Sequence, residues 1–315
     1  MKKILVTGAT GFVGKHLIEL LLTKEDIMIW GTTHSSSPNK DMQVSWETLD
    51  LLNTNQVREM INKVKPDVIF HLAGQSNVRK SWEQKDDTFQ INVIGTIHLL
   101  DAVKEFCPEA IVLTVGSSEE YGFVKQENMP INETSVCNPM NPYGISKLSV
   151  ALLSKQYYQS CGLNCIHVRP FNHIGPGQSL GFVTTDFAKQ IVSIELELQE
   201  NKLKVGNLEA HRDFTDVRDI VCAYWLLSQK GKSGEIYNVS VGKGIKISTI
   251  VKELAKRSNK EIQIIQDSKK FRPIDVPFYI GDCSKIERDC GWIPKISLSK
   301  TLDDIMNDWR QRLSK

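Results

Sequence analysis

The sequence predicts an α/β fold, a doubly wound parallel sheet with a smaller, interleaved lobe toward the C-terminus, and three observations carry that reading. Short β-rich apolar runs alternate with helical patterns, no hairpin signal joins consecutive runs, and a glycine loop stands between the first strand and the first helix. Strand, helix and strand without a hairpin require a crossover, and crossovers build parallel sheets with helices on both faces. The 315 residues suit about two lobes around a sizeable core.

Each element follows from its local pattern. Lys3 to Thr7 is the first strand: its start imitates a secretion signal, but the apolar run Ile4-Leu5-Val6 ends in glycine. A helix from Phe12 to Leu22 leads to a second strand, Ile27 to Thr32, and Ser45 to Leu49 makes a third. Val57 to Val64 lies in a helix, and Pro66-Asp67 introduces the apolar strand Val68 to Ala73. Thr88 to Phe106 is a long amphipathic helix, followed by Ile111 to Val115, a strand apolar on both faces. Tyr143 to Gln159 predicts another helix and Asn164 to Val168 another strand. Beyond Pro170, Gly175-Pro176-Gly177 and longer connections around pieces such as Glu235 to Val239 mark a change of texture.

Composition removes several classes of function. Hydrophobic residues make up 41% and charged residues 24%, ordinary for a globular chain. The 39 Lys plus Arg against 37 Asp plus Glu leave a net +2, too balanced to advertise a nucleic-acid surface. No run approaches the roughly 18 to 20 apolar residues of a membrane span, and Leu313-Ser314-Lys315 carries no lipidation cysteine; we expect no membrane partner and a cytoplasmic protein. The seven cysteines are odd in number and hold no C-x-x-C pair, so we expect free, mostly buried thiols and no metal site.

Thr7-Gly8-Ala9-Thr10-Gly11-Phe12-Val13-Gly14 is the strongest short signal. Gly8 allows the tight turn, Gly11 lets the backbone approach a pyrophosphate, and Gly14 lets helix and strand pack closely. Phe12 and Val13 open a helix whose N-terminus offers unpaired N–H donors, so the whole reads as a Rossmann dinucleotide site. An acidic residue at the end of the second strand would hold both hydroxyls of an NAD ribose, and none occurs between Ile27 and Lys40. Thr32, Thr33 and His34 stand there instead and leave room for a 2′-phosphate, which favours NADP(H) and leaves NAD(H) open. Asp50 is the expected partner of the adenine amino group, with Leu51 beside it and Leu72-Ala73-Gly74 as further cofactor contacts.

Taken with that loop, Ser117-Ser118-Glu119-Glu120-Tyr121-Gly122 and Tyr143-Gly144-Ile145-Ser146-Lys147 resemble the extended short-chain dehydrogenase/reductase family. Residues four apart share a helix face, so Lys147 can lower the pKa of the Tyr143 phenol and reach the nicotinamide ribose. The resemblance makes Ser117, Tyr143 and Lys147 catalytic and gives Asn92 a place in organising the site; an exposed helical Asn92 is the plain alternative. Arg169-Pro170-Phe171-Asn172-His173-Ile174-Gly175-Pro176-Gly177-Gln178, Lys204 to Asp219 and Arg272-Pro273 are similar to the nucleotide-sugar branch of that family. Arg212 and Arg272 are then the candidates for the diphosphate, because guanidinium binds phosphate bidentately. Asn172 adds an amide donor, Val205 to Asn207 offer backbone groups at the nucleotide end, and Gln75, Ser76, Arg79, Ser118 and Glu119 line the hexose. Arg218 next to Asp219 reads as a structural ion pair.

The resemblance implies residues 1–170 mainly as the dinucleotide and catalytic lobe and 171–315 mainly as the sugar-nucleotide lobe, some segments returning to the first. It implies an NAD(P)H-dependent reductase of the C4 ketone of a nucleotide-linked 4-keto-6-deoxyhexose, without a metal. Glu119 keeps a 4,6-dehydratase open, since related dehydratases carry a glutamate base there, with Thr where this chain has Ser117. A 4-epimerase, a reductase of a UDP-linked amino sugar and a non-catalytic NADP(H) sensor are further readings; a sensor gives no reason for Ser, Tyr and Lys together. The resemblance also implies a homodimer joined through a four-helix interface made by the helices of Thr88 to Phe106 and Tyr143 to Gln159.

Overall fold

The computed structural model describes residues 1–34, 43–270 and 276–314. Its first half is a run of crossovers: β1 (Lys2–Thr7), α1 (Phe12–Leu21), β2 (Ile27–Thr33), β3 (Val44–Thr48), α2 (Thr54–Val64), β4 (Val68–His71), α3 (Val78–Glu83), α4 (Lys85–Phe89), α5 (Gly95–Phe106), β5 (Ile111–Val115), α6 (Pro142–Cys161) and β6 (Asn164–Pro170). The second half adds β7 (Asn172–Ile174), α7 (Val183–Glu195), β8 (Lys202–Val205), β9 (His211–Asp216), α8 (Val217–Lys230), β10 (Ile236–Val239), β11 (Gly244–Lys246), α9 (Ile247–Ala255), β12 (Gln263–Gln266), β13 (Phe278–Tyr279), α10 (Ser284–Cys290) and α11 (Leu298–Leu313).

Seven strands form one parallel sheet in the order β3-β2-β1-β4-β5-β6-β10. Apolar side chains on both sheet faces need cover on both sides. Leu17 and Leu21 of α1, with Tyr224 and Leu227 of α8, bury one face; Val57 and Ile61 of α2, with Leu99 and Val103 of α5, bury the other. Each such side chain contributes roughly 1.5–3 kcal/mol on burial. β9 centres a second sheet with β7, β11 and β13, and β8 pairs β12. Between α7, α9 and α11 lies a separate core that includes Phe187, Ile191, Ile250, Leu302 and Ile305.

Interleaving is physical as well as sequential. β10 leaves the second lobe to pair with β6, from Ile236 against His167 to Val239 against Pro170. Ile286 and Cys290 of α10, and Trp292 after it, also pack into the first lobe's core.

Three expectations need correction. The helix expected from Thr88 runs on from α4 through a π-turn at Gln90–Ile94 into α5; the π-turn presents Asn92, which is buried. Arg218 does not pair Asp219. It binds Asp216 at 2.7 Å and Asp304 at 2.8 Å, because adjacent helical residues face different directions. The Asp219 carboxylate instead accepts the N–H groups of Lys295 and Ile296. Finally, all seven cysteines are free, but only Cys165 and Cys290 are fully buried.

Candidate active site

The glycine loop crosses the C-terminal edge of the sheet. Gly8 has φ +68°, and a Cβ there would lie 2.8 Å from the Ala73 backbone; one on Gly14 would lie 2.3 Å from the Gly8 carbonyl. Gly11 caps α1 with no side-chain hydrogen bond, so the first N–H groups of the helix stay available to an anion. A dinucleotide fits this cradle. Phe12 and Val13 sit half-buried at the helix start, and the Phe12 ring stacks on His173 of the second lobe at 6.1 Å. Thr32 and Thr33 are buried at the end of β2 and His34 is exposed just beyond. Asp50 accepts the Leu52 N–H at 2.9 Å, and buried Leu51 gives its carbonyl to His98. Leu72, Ala73 and Gly74 follow β4; Ala73 N–H donates to the Thr7 hydroxyl at 3.2 Å.

A buried hydrogen-bond web ties this edge to α6. His71, at the end of β4, sits between the hydroxyls of Thr7 at 2.8 Å and Thr96 at 2.9 Å, and burial, then the nearby Lys147 cation, lowers it to about 3. Asn92 accepts from Gln75 N–H at 2.8 Å and donates to the Gln75 carbonyl at 3.0 Å and the Ser146 hydroxyl at 2.9 Å. That rules out the exposed reading of Asn92.

The α6 helix begins at Asn141, whose side-chain oxygen accepts the Gly144 N–H at 2.8 Å, with Pro142 in its first turn. This cap sets Tyr143 and Lys147 on the face turned to the sheet, and both are buried. Lys147 donates to the Val115 carbonyl at 2.8 Å, and its ammonium lies 5.8 Å from the Tyr143 ring centre. Burial pulls the ammonium down to about 8 while Glu120 holds it up. Ser117, two residues past Val115, hydrogen-bonds the Tyr143 side chain. The spacing leads one to expect a lowered phenol pKa; the structure has it raised, since burial outweighs the Ser117 hydrogen bond and Glu119 and Glu120 add negative charge nearby.

The turn Ser118–Glu120 carries two glutamates with opposite fates. Glu119 is half-buried and accepts from the Asn141 amide at 2.7 Å, next to Tyr143. Glu120 is fully buried against His167 and Arg169. The sequence reading did not single out that buried group, although Ser117-Ser118-Glu119-Glu120 is a capping-box pattern that pointed to it. Ser118 is buried too, and its carbonyl accepts the Tyr279 hydroxyl at 2.5 Å.

The expected substrate residues are placed unevenly. Arg212, half-buried on β9, donates to the carbonyls of His211 at 2.9 Å and Val276 at 2.7 Å. The Asn207 side chain accepts the Glu209 N–H, and Asn172 and Ser76 are exposed. The Val205 side chain is fully buried, and among the backbone groups expected at the nucleotide end its carbonyl already accepts the Asp267 N–H at 2.8 Å. Arg79 has a 91% exposed side chain on α3, lying 3.9 Å from Glu83. Arg272 lies outside the described residues.

Comparison with known proteins shows the family. The family described as GDP-mannose 4,6 dehydratase matches residues 5–305. The chain is 34% identical to the GDP-6-deoxy-D-mannose reductase of Pseudomonas aeruginosa over 99% of its own length and 98% of the relative. It is 30% identical to the GDP-mannose 4,6 dehydratase of Cricetulus griseus, over 97% and 90%. A solved structure described as RMD from Pseudomonas aeruginosa complexed with NADPH superposes with a TM-score of 0.87 at 34% identity, over 99% of this chain and 100% of that one. The chain therefore belongs to the GDP-mannose 4,6 dehydratase family, and is an NAD(P)-dependent, nucleotide-sugar-modifying enzyme of the extended short-chain dehydrogenase/reductase type.

Proposed function

We propose that this enzyme reduces the C4 ketone of GDP-4-keto-6-deoxy-D-mannose to give GDP-D-rhamnose. The observation that carries the reading is the gathering of Ser117, Tyr143 and Lys147 beside the glycine loop, in a chain alike from end to end to a reductase. Bound NADPH is the hydride source. The chain supplies the proton: burial keeps the Tyr143 phenol protonated, the form that can give its hydrogen to the sugar oxygen as charge develops there. The Ser117 hydroxyl donates to the same oxygen and Lys147 holds the local charge balance. NADP(H) is preferred over NAD(H) because Thr32, Thr33 and His34 leave the end of β2 without a carboxylate. Two carbonyls fix the Arg212 guanidinium, a preorganised donor for the diphosphate.

One observation favours a second reading. The Glu119 carboxylate is anchored by Asn141 beside Tyr143, where it could act as the base of a 4,6-dehydratase. Incubating the protein with NADPH or NADH and a panel of GDP- and UDP-linked 4-keto-6-deoxy sugars, alongside GDP-mannose alone, separates the two. NADPH oxidation with the GDP-linked ketone supports reduction; a 4-keto product from GDP-mannose without net cofactor use makes Glu119 the base and overturns it. Tyr143→Phe should lower turnover about 10²-fold or more while retaining cofactor binding; unchanged turnover would remove Tyr143 from the chemistry.

We further infer a homodimer through α5 and α6. Ile145 and Leu152, two helical turns apart on α6, are 44% and 61% exposed, and the Tyr157 hydroxyl bonds Asp101 at 2.6 Å to hold the two helices side by side.

A further inference from the structure

We propose that Glu120 is a positioning residue for the reduction: its buried carboxylate, paired with Arg169 and His167, holds the main chain of Ser117 so that the serine hydroxyl faces the reacting oxygen. The inference rests on the reaction proposed above but concerns a residue that does not touch substrate.

The geometry starts at Gly116. A Cβ there would lie 2.0 Å from the Glu120 carboxylate and 2.2 Å from His167 Nε2, so the backbone before Ser117 is packed directly against both groups. Glu120 Oε1 accepts the Ser117 N–H at 2.9 Å and lies 3.0 Å from His167 Nε2; Oε2 accepts Arg169 Nε at 2.6 Å. Ser117 Oγ already accepts the Glu119 N–H at 3.1 Å. Its O–H is therefore the part left to donate toward Tyr143 and the substrate.

The network continues to the helix that carries the other catalytic groups. His167 Nδ1 lies 2.9 Å from the Thr114 hydroxyl, which lies 2.8 Å from Ser154 Oγ, and Ser154 donates to the Val150 carbonyl within α6. On the other side, Arg169 donates to the Tyr121 hydroxyl, which donates to Asn238 of β10. A glutamate that only capped the turn would need no buried partner for its charge. Burying its charge and supplying a cation for it costs desolvation that a cap does not require, and the arrangement fixes Ser117 relative to α6.

Charged and titratable groups face Glu120 from each side: His167 and Arg169 on β6, Lys147 and Tyr143 on α6, Glu119 and Tyr121 along its own turn, and Cys137 nearby. Burial pushes the Glu120 carboxyl up, but His167 and Arg169 outweigh it and keep it ionised. That negative charge raises both Lys147 and Tyr143, while His71 and His167 also face the Lys147 cation.

The test uses the full chain with NADPH and the GDP-linked 4-keto sugar. Glu120→Gln should lower kcat about 10- to 100-fold with both KM values within about twofold, and the alkaline limb of its pH–rate profile should move down by about half a unit or more, since the charge supporting Lys147 is gone. Wild-type kcat with an unmoved limb overturns the proposal. Should Glu120→Gln not fold, a second pair decides: His167→Gln keeps an N–H donor for Glu120 and should retain kcat within about threefold, whereas His167→Leu should lose about tenfold. Equal kcat for the two His167 variants also overturns it. A wild type that acts on GDP-mannose and leaves NADPH unoxidised refutes the reduction and not the positioning role, and the same variants are then compared in that reaction.

Discussion

Lys147 holds its charge in a place that resists charge, and this gives its titration two opposite signatures. Burial brings the ammonium from the ordinary 10.5 down to about 8, so turnover that needs the cation should fall as pH rises through about 8. Stability should move the other way. The folded chain gives up this proton before the unfolded chain does, so between about 8 and 10.5 the unfolded state binds more protons and folding is favoured as pH rises. Measuring kcat/KM and the urea midpoint across this range in wild type and Lys147→Met checks both signs; a wild-type loss of activity that tracks unfolding would refute the assignment. At this scale Tyr143 and Lys147 stood out as candidates because their spacing places them on one helix face, and Ser117 because its segment resembles the family's. Glu120, His167 and Arg169 did not, since their contacts join positions 47 and 49 residues apart.

Among the elements, β9 depends on a carboxylate at its centre. Asp213 is fully buried and accepts the N–H groups of Val241 and Gly242 at 2.9 Å and Gly281 at 3.3 Å, stitching the β10–β11 connection and the end of β13 to the strand that bears Arg212. Burial raises its pKa to about 6 although those N–H groups pull it down. The folded state thus holds this proton more tightly than the unfolded chain. Its stabilising contribution is complete below about 3.8 and is lost as pH rises through about 6, a change of up to about 3 kcal/mol. Asp213→Asn should remove that pH dependence, so the urea-midpoint difference between variant and wild type should change between pH 4.5 and 7; parallel curves would count against it. The first six strands were readable because apolar runs between crossovers have few alternatives. Apart from β9, the second-lobe strands run only two to four residues and carry too little periodicity, and β7, β11 and β13 join one sheet only because β9 collects them from distant segments.

For the whole molecule, the arrangement that matters is how the two lobes meet over the glycine loop. Phe12 stacks on His173, His16 bonds the Pro176 carbonyl at 2.8 Å, and Tyr279 holds the Ser118 carbonyl, so the second lobe holds both the helix after the glycine loop and the turn that carries Ser118. The proposed dimer belongs to this scale too. Sedimentation at micromolar concentration should give twice the chain mass, and Ile145→Glu with Leu152→Glu should shift it to monomer by placing charges on the apolar α6 face; a monomeric wild type would refute the interface. The small net charge of +2 is compatible with an anionic nucleotide sugar, because helix-end amides and a fixed guanidinium such as Arg212 can supply positive potential locally. Among the described residues no helix is long and apolar enough to cross a membrane.

By itself the sequence determined the parallel sheet and, as candidates, the dinucleotide loop and the Tyr and Lys pair, since each depends on periodicity, glycine sterics or helix spacing within a short stretch; Ser117 entered through the family resemblance. Only the tertiary structure decided which glutamate is half-buried beside Tyr143 and which lies in the core, that Asn92 and the Val205 side chain are buried while Arg79 is exposed, and that burial pushes the Tyr143 phenol up. Those outcomes depend on burial and on charges brought together from remote segments, and neither is encoded in any one window of the chain.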